Sequence, residues 1–496
     1  MVGSWYMLLP VLLPVFSGLA VAFVPALNLP ARRNAFTLAM LVVSALLVLP
    51  LLLLDDMTLT LFTLSDNLPI FLHTDAAGRF FAVVMAFVWT VAGAYSFEYM
   101  AHEENQRRFY CFYLCTMGVL MGLCFAGSIV TYYMFYELMT LLTVPLVMHT
   151  MQKDAVAAGV KYLIYSVMGA SMVLLGVFVL SPYVSTFSFT PHGVLDAEKV
   201  AGHETLVLVM SMLMLVGFGT KAGMFPMHGW LPTAHPVAPS PASAVLSGII
   251  TKAGVLGVLR VIYFFIGSET LRGTWVQTVF MGLALFTVFM GSLLAYREGL
   301  LKKRLAYSSV SQVSYVLFGL STMHPLGICG ALLHVAAHAL IKNTLFMSAG
   351  AIICKTHKTR VEELSGIGKQ MPVTMWCFTI ASVGLVGIPP CLGFISKWYL
   401  SQGAMSMSGV PTFLAWFGPA VLLVSALLTA GYLITVSIRA FFPGNNGNAQ
   451  PLSYEKCEPT FRMLIPMAVL TVLMVALGMF PGALIRCFGA IASAIA

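Results

Sequence analysis

The chain has 496 residues, of which 59% are hydrophobic and only 9% charged, and its formal net charge is +8. Its mean hydropathy is +0.92. Soluble domains carry about a quarter charged residues, so this composition excludes an ordinary soluble fold. About twenty apolar residues cross a bilayer, and the apolar runs predict an all-α polytopic membrane protein with about fourteen transmembrane helices.

Spans 1 to 8 are predicted in two blocks. The N-terminal block, residues 1–108, holds spans at 5–24, 35–54 and 80–95. Between the last two, the Thr-rich segment 55–76 predicts a short exposed hairpin or loop. The block at 109–266 holds spans at 109–125, 129–148, 160–180, 206–231 and 242–266. Span 7, the fourth of these, is predicted to be broken near Gly223–Pro226.

The remaining spans form a third block and a C-terminal helix. Residues 276–442 hold spans 9 to 13, at 276–295, 305–320, 327–354, 373–400 and 413–442. Span 12 is predicted to be broken at Pro389–Pro390. A polar loop at 444–459 precedes the C-terminal helix at 461–496, whose span is 461–480.

The basic loops predict the orientation, since Lys and Arg concentrate in loops on the inner side. With the N-terminus outside, every strongly basic loop falls inside: Arg32/Arg33, Arg107/Arg108, Lys153, Lys302–Arg304, Lys355–Arg360, and Arg439 with Lys456. The loops at 55–76 and 182–205, which are poor in Lys and Arg, fall outside. An even number of spans then puts both termini on the outer side.

An internal repeat is indicated by two similar stretches. LVGFGTKAGMFPMHGW, from Leu215, resembles LVGIPPCLGFISKW, from Leu385, although the lysines are displaced. Within the membrane, a broken helix is tolerated only where its backbone is buried in protein or lines a water-filled cavity. Paired broken helices in two halves indicate a transport path at the repeat interface.

Glu137 and Lys221 are ionisable groups inside apolar spans. A carboxylate in hydrocarbon needs a cationic partner or becomes neutral, and Lys221 is the natural partner. Separation of the pair would release the lysine proton, and its closure would favour proton uptake. The alternative is a static ion pair that only fixes packing.

His334, His338 and Lys342 are each four residues apart, so they share one helix face. Two histidines and a lysine aligned in an apolar span favour a proton relay. A zinc site is the alternative, but no third ligand with suitable spacing is visible. Lys252 would join Lys221 to this face, and Lys397 is predicted to load protons at the end of the path.

Other polar groups have less definite roles. His228 and His235 flank the break after span 7, where gating and loop-stabilising roles are both open. No role can be assigned to Arg260. Cys111 and Cys115 lie one turn apart, and are interpreted as small core residues rather than a metal half-site. No nucleotide loop, nucleophile elbow or C-x-x-C pair is present, so no catalytic residues, no metal and no cofactor are predicted, and no nucleic acid partner.

At these residues the chain resembles the antiporter-like subunits shared by respiratory complex I, energy-converting membrane hydrogenases and Mrp-type Na+/H+ antiporters. Two motifs carry the resemblance: K-A-G-x-x-P-x-H-x-W-L-P-x-A-H-x-x-A-P-x-P-x-S-A-x-L-S-G, from Lys221 to Gly248, and KKRLAYSSVSQ, from Lys302. The resemblance implies fourteen helices with two inverted five-helix repeats, the first at 109–266 and the second at 276–442. It also implies proton-path roles for Glu137, Lys221, Lys252, His334, His338 and Lys397.

The resulting hypothesis is a proton-translocating subunit of a multisubunit complex in a prokaryotic inner membrane, with Na+ coupling open. Its expected partners are membrane subunits of the same family and, in a redox-driven complex, peripheral redox subunits. Three alternatives remain: a D-type subunit of an Mrp antiporter, a non-conducting scaffold subunit, and a stand-alone solute carrier.

Overall fold

The computed structural model describes residues 4–65, 68–443 and 455–496. The longer helices are α1 Leu9–Phe23, α2 Pro30–Leu46, α3 Ala76–Tyr99, α4 Gln106–Cys124, α5 Ile129–Val147, α6 Lys153–Leu180, α7 Glu204–Ala222, α8 Leu231–Val237, α9 Ser240–Ile266, α10 Trp275–Arg297, α11 Leu301–Ser321, α12 Pro325–Thr356, α13 Pro372–Val386, α14 Leu392–Ser406, α15 Thr412–Phe441, α16 Phe461–Met479 and α17 Gly482–Ile495. Single α-helical turns occur at Ala197–Val200, Ser268–Leu271 and Ile367–Gln370. Short 3-10 helices occur at Ser4–Leu8, Pro25–Asn28, Pro50–Leu52, Met100–His102, Ser181–Tyr183 and Val361–Leu364.

The all-α polytopic class is confirmed. Among the described residues, eleven helices are long and apolar enough to cross a membrane, judged by length and composition. The remaining predicted spans correspond to α4, α11 and the pair α13 and α14. Most of the polar loop predicted at 444–459 lies outside the described residues.

The breaks predicted in spans 7 and 12 are both present, and each follows a helix that ends on a glycine. Gly223, with φ +82°, caps the C-terminus of α7, and Gly387, with φ +90°, caps that of α13. A residue with a side chain rarely adopts this left-handed conformation, which is why glycine stands at these helix ends. A feature that the sequence did not predict is the pair of π-helical turns inside α9, at Leu246–Ile250 and Val261–Ile266.

A β-hairpin marks one end of the molecule. Its strands β1 (Thr58–Thr63) and β2 (Pro69–His73) pair antiparallel, as the Thr-rich segment suggested. The hairpin is not simply exposed, because Leu59, Ile70 and Leu72 are buried. The N–H of His73 donates to Phe125 O at 2.7 Å, just beyond α4. We call this region, together with the C-terminal ends of α4 and α9, the hairpin end.

The opposite end, which we call the basic end, gathers the loops predicted to face inward. Leu301 N donates to Thr359 O at 2.9 Å, and Gly366 N donates to Arg439 O at 3.1 Å. Lys355 pairs with Glu98 at 3.1 Å. The basic loops therefore meet on one side of the bundle. That this side faces the cell interior remains a prediction from the charge pattern.

Two helices form the centre of the bundle. All residues in the apolar stretch of α9 are buried. In the apolar stretch of α12, 89% of the residues are buried. The outer helices α6, α15 and α16 instead expose large apolar side chains, including Phe178, Leu427 and Val472. Polar groups on α9 and α12 are therefore enclosed by protein rather than lipid.

The predicted C-terminal helix at 461–496 is two helices rather than one. α16 ends at Met479 and α17 begins at Gly482. Phe480 leaves the helical conformation, with φ −122° and ψ +60°, as the residue before a proline such as Pro481 is biased to do. α17 packs beside α3, where the rings of Phe488 and Phe80 have centroids 4.5 Å apart.

Candidate ion-translocation site

Lys221 occupies a cage of hydroxyl groups at the end of α7. Its side chain is fully buried, and its Nζ donates to Thr140 Oγ1 at 2.7 Å, to Tyr162 OH at 3.0 Å and to Ser166 Oγ at 3.0 Å. The ring of Tyr136 lies 5.3 Å from the same nitrogen. The last turn of a helix favours a cation. The break after α7 thus places a lysine where every ammonium proton has an acceptor.

Glu137 lies on α5, one turn before Thr140, and does not contact Lys221 directly. Among the described residues, no ion pair within 4.0 Å joins the two groups, and Glu137 Oε1 is buried without a hydrogen-bond partner. The field of the carboxylate still acts on Lys221. The predicted pair is therefore open in this structure, with its cationic partner held by hydroxyls.

Lys252 follows the first π-helical turn of α9. Its Nζ donates to Ser247 O at 3.0 Å and forms a close hydrogen-bonded contact with His338 Nδ1. π-Helical turns often occur at functional sites because they release backbone groups from the regular hydrogen-bond pattern. The turn thus supplies a carbonyl to the ammonium and directs the lysine toward α12.

The two histidines of α12 lie side by side, with ring centroids 6.1 Å apart. His334 Nδ1 lies 2.9 Å from Ser396 Oγ on α14. The Nε2 atoms of both rings are buried without partners in the described part of the chain. Lys342 points to α11, where its Nζ donates to Leu305 O at 3.0 Å and contacts Ser308 Oγ.

Lys397 reaches back across the break in span 12. Its Nζ donates to Leu385 O at 2.7 Å and to Val386 O at 2.9 Å, both in the last turn of α13. The same nitrogen lies 5.0 Å from the ring of Tyr315, which stacks on His334 at 5.4 Å. Lys397 also lines a cavity of about 230 Å³ toward α15. Lys252, His338, His334 and Lys397 thus form a continuous series.

The Lys221 site and the Lys252 site adjoin where α7 and α9 pack tightly against each other. A Cβ on Gly254 of α9 would lie 2.6 Å from Ala222 N and 3.0 Å from Lys221 Cβ. In the described residues, no direct side-chain hydrogen bond joins the cage of Lys221 to Lys252. Proton transfer between them therefore requires water or side-chain movement.

The two candidate gating histidines have different surroundings. His228 is half-buried in the turn after α7, with its ring 5.9 Å from that of Phe225. His235 on α8 is fully buried, and neither of its ring nitrogens has a partner in the described residues. Its ring lies 4.7 Å from that of Phe346 on α12.

The structure also gives Arg260 a partner that the sequence did not reveal. Its guanidinium forms two hydrogen bonds with Asp75, one of them 2.8 Å long, and lies over the rings of Phe189 and Phe264. Asp75 caps α3 by accepting a hydrogen bond from Gly78 N at 2.8 Å. An aspartate before an apolar run signals the cap, but not a partner 185 residues away. No group of three His, Cys, Asp or Glu in the described ranges could hold a metal ion.

The chain as a whole is similar to several known membrane proteins. The model of the NADH:quinone oxidoreductase/Mrp antiporter transmembrane family matches residues 126–429. The chain is 34% identical to NADH-quinone oxidoreductase subunit N of Desulforudis audaxviator, over 80% of this chain and 79% of that protein. It is 30% identical to hydrogenase-4 component B of Escherichia coli, over 75% of this chain and 56% of that protein.

Two further similarities extend over most of the chain. The sequence is 26% identical to the D-type subunit of the Na+/H+ antiporter of Bacillus subtilis, over 90% of this chain and 89% of that protein. A chain of the archaeal membrane-bound sulfane sulfur reductase has the same fold, with a TM-score of 0.86, 22% identity, and coverage of 99% of this chain and 97% of that one.

Proposed function

Because the chain belongs to the NADH:quinone oxidoreductase/Mrp antiporter transmembrane family, we propose that it is a proton-translocating subunit of a multisubunit membrane complex. Partner subunits drive it, and the basic end faces the cell interior. A proton reaches Lys221 under the control of Glu137. It then passes through Lys252, His338 and His334 to Lys397, from which it leaves toward the outer side.

The observation that supports this proposal is the contact series in the centre of the bundle. Lys252 touches His338, His338 lies beside His334, and Tyr315 connects His334 to Lys397 by ring contacts. Polar groups enclosed at membrane depth are costly and mark ion paths. A scaffold would obtain the same packing from apolar side chains, without the cost of burying charges.

The test replaces Lys221 or Lys252 with methionine in the intact complex and measures proton translocation in proteoliposomes. Proton transfer by a positioned side chain contributes about 100-fold or more to a rate, so each variant should lose nearly all driven transport while the complex still assembles. Lys199→Met is the matched control, because Lys199 is 52% exposed and pairs with Asp196 in the loop before α7. Unchanged translocation in both test variants would favour the scaffold and refute the path.

A D-type role in an Mrp antiporter is the second candidate. It is favoured by length, because the chain and the Bacillus subtilis antiporter protein match over about nine tenths of both proteins, 90% and 89%. Proton release driven by an imposed Na+ gradient, abolished by Lys221→Met, would assign this role. Translocation that needs electron transfer and ignores Na+ would assign the redox-driven role.

A further inference from the structure

A second cavity opens at the basic end, away from the Lys221 cage. It has a volume of about 270 Å³. Its walls come from the end of α3, the start of α11, the end of α12 and residues 236–239, which comprise the end of α8 and its link to α9. The cavity therefore reaches the irregular backbone between α8 and α9.

Lys302 stands in the wall of this cavity. It begins the KKRLAYSSVSQ motif, which the path through Lys221 and Lys397 does not use. Its side chain is 8% exposed, and its Nζ donates to Ala238 O at 2.7 Å. An ammonium group has three donors, and this carbonyl takes one of them. Lys302 thus joins α11 to the segment between α8 and α9 by a single charge-assisted hydrogen bond.

Glu103 lines the same cavity and lies outside the membrane-spanning helices. Burial raises the pKa of its carboxyl above the usual value, and the charges of Lys302 and His102 partly offset this effect. A half-buried carboxyl at the mouth of a cavity can accept and release a proton.

His235 lies immediately behind the wall, next to Pro236. It is fully buried, and in the described part of the chain both of its ring nitrogens lack a hydrogen-bond partner. Lys302 and Lys342 are the basic side chains close enough to influence it. Its ring packs on Phe346, one turn beyond Lys342 on α12. A buried, unpartnered polar group is costly unless water or a transferable proton reaches it.

We propose that Lys302 closes a second inward-facing proton entrance, which leads from Glu103 past His235 to Lys342 and is separate from the Lys221 cage. In the closed form the ammonium of Lys302 holds the Ala238 carbonyl and repels cations. Movement of the ammonium toward Glu103 opens the entrance. A proton then passes from water at Glu103 to a ring nitrogen of His235, and the ring passes a proton on to the neutral amine of Lys342. The inference rests on the proposed function and adds an entrance to it.

Sided thiol labelling tests the closure directly in the intact complex. A cysteine replaces Ala238, which is 1% exposed behind Lys302, and a membrane-impermeant methanethiosulfonate is added to either face of sealed vesicles. Glu362→Cys, at an exposed position, identifies the basic end. The parent chain, with its nine native cysteines, gives the background. Val237→Cys, also in the cavity wall, serves if Ala238→Cys does not assemble.

Removing the hydrogen bond from Lys302 should expose the cavity wall at Ala238. Adding Lys302→Ala should raise the labelling rate from the basic end about tenfold, which corresponds to losing a charge-assisted hydrogen bond of about 1.4 kcal/mol. Lys303→Ala is the matched control, because Lys303 is 34% exposed and pairs with Glu298 at 2.8 Å, so it should leave the labelling rate unchanged. Equal labelling in the three backgrounds, or labelling only from the hairpin end, would overturn the inference.

Transport provides a second readout that a purely structural role would not alter. Lys302→Ala should increase the passive proton leak in assembled complex and lower driven transport, whereas Lys302→Arg should retain the closed entrance. If Lys221→Met abolishes transport while Lys302→Ala changes neither leak nor labelling, the second entrance is wrong and the main path stands. If Lys221→Met leaves transport intact, the proposed function itself fails.

Discussion

Neutralising Asp75 should destabilise the protein more than removing Arg260, although the two side chains form one ion pair. The Arg260 side chain is 2% exposed and that of Asp75 is 16% exposed. A guanidinium cannot lose its proton in a protein, so Asp75→Asn leaves a permanent charge inside the bundle. Arg260→Met instead removes the more deeply buried charge.

The loss of stability in each variant depends on the interactions that the variant retains. Asparagine still caps α3, because it can accept from Gly78 N, so the loss in Asp75→Asn is that of the ion pair. Breaking a buried pair by removing one partner costs about 3–5 kcal/mol. In Arg260→Met the Asp75 carboxylate keeps its hydrogen bond from Gly78 and some solvent contact. The main loss is the contact with the rings of Phe189 and Phe264, and the expected cost is about 2 kcal/mol.

The measurement is a detergent-denaturation titration in mixed micelles, followed by the reactivity of the buried cysteines. Cys124, which is fully buried near this pair, reports local opening. The double variant should be about as stable as Arg260→Met alone, since contacting residues are not additive. Equal costs for the single variants, or a larger cost for Arg260→Met, would refute the reasoning.

The ion pair of Asp75 and Arg260 should also make the stability of the protein depend on pH in the acidic range. Asp75 precedes α3; its burial opposes ionisation, but Arg260 and the Gly78 N–H outweigh burial and hold the pKa of the carboxyl below its usual value. A lowered pKa stabilises the folded state fully above the unfolded value of about 3.9. This contribution is lost as the pH falls through the lower, folded-state pKa. Arg260→Met should abolish that part of the acid sensitivity.

The remaining predictions concern the centre of the path. Gly254→Ala should cost about 1–3 kcal/mol and slow transport, because the new Cβ would lie 2.6 Å from Ala222 N and 2.7 Å from Phe218 O; Gly282→Ala, with nothing within 4 Å, is its control. Ser396→Ala removes the 2.9 Å partner of His334 Nδ1 and should slow driven transport about fivefold, as the loss of about 1 kcal/mol predicts. Ser406→Ala, exposed on the same helix, should have no effect, and equal rates in the two serine variants would contradict the relay.

Much of the architecture could be predicted because it depends on local patterns. Composition determines the membrane class, and the four-residue spacing of His334 and His338 places both on one face of α12. Gly223 and Gly387 end their helices where the sequence suggested breaks. Each of these features depends on residues close together in the chain, so helix geometry is enough to infer them.

Other features depend on which distant segments become neighbours. The partner of Arg260 lies 185 residues earlier in the chain. The hydroxyls around Lys221 come from α5 and α6, and they replace the direct carboxylate contact that charge pairing alone suggested. Thr140 and Tyr162 are unremarkable within their own apolar spans. Only the packing of the helices brings them to the end of α7.

Lys221 and Lys397 are structurally similar in a way that their sequence positions do not reveal. They occupy displaced positions in the two similar stretches, yet each ammonium lies at the C-terminal end of a helix that stops at a break. Lys221 belongs to the last turn of its helix, whereas Lys397 reaches back from the helix after the break. Their acceptors differ in a way that matters for the proposed path. The hydroxyls around Lys221 can accept from an ammonium or donate to a neutral amine, whereas the carbonyls at Lys397 only accept. The first site therefore suits a lysine that changes its charge, and the second favours one that holds a proton at the end of the series.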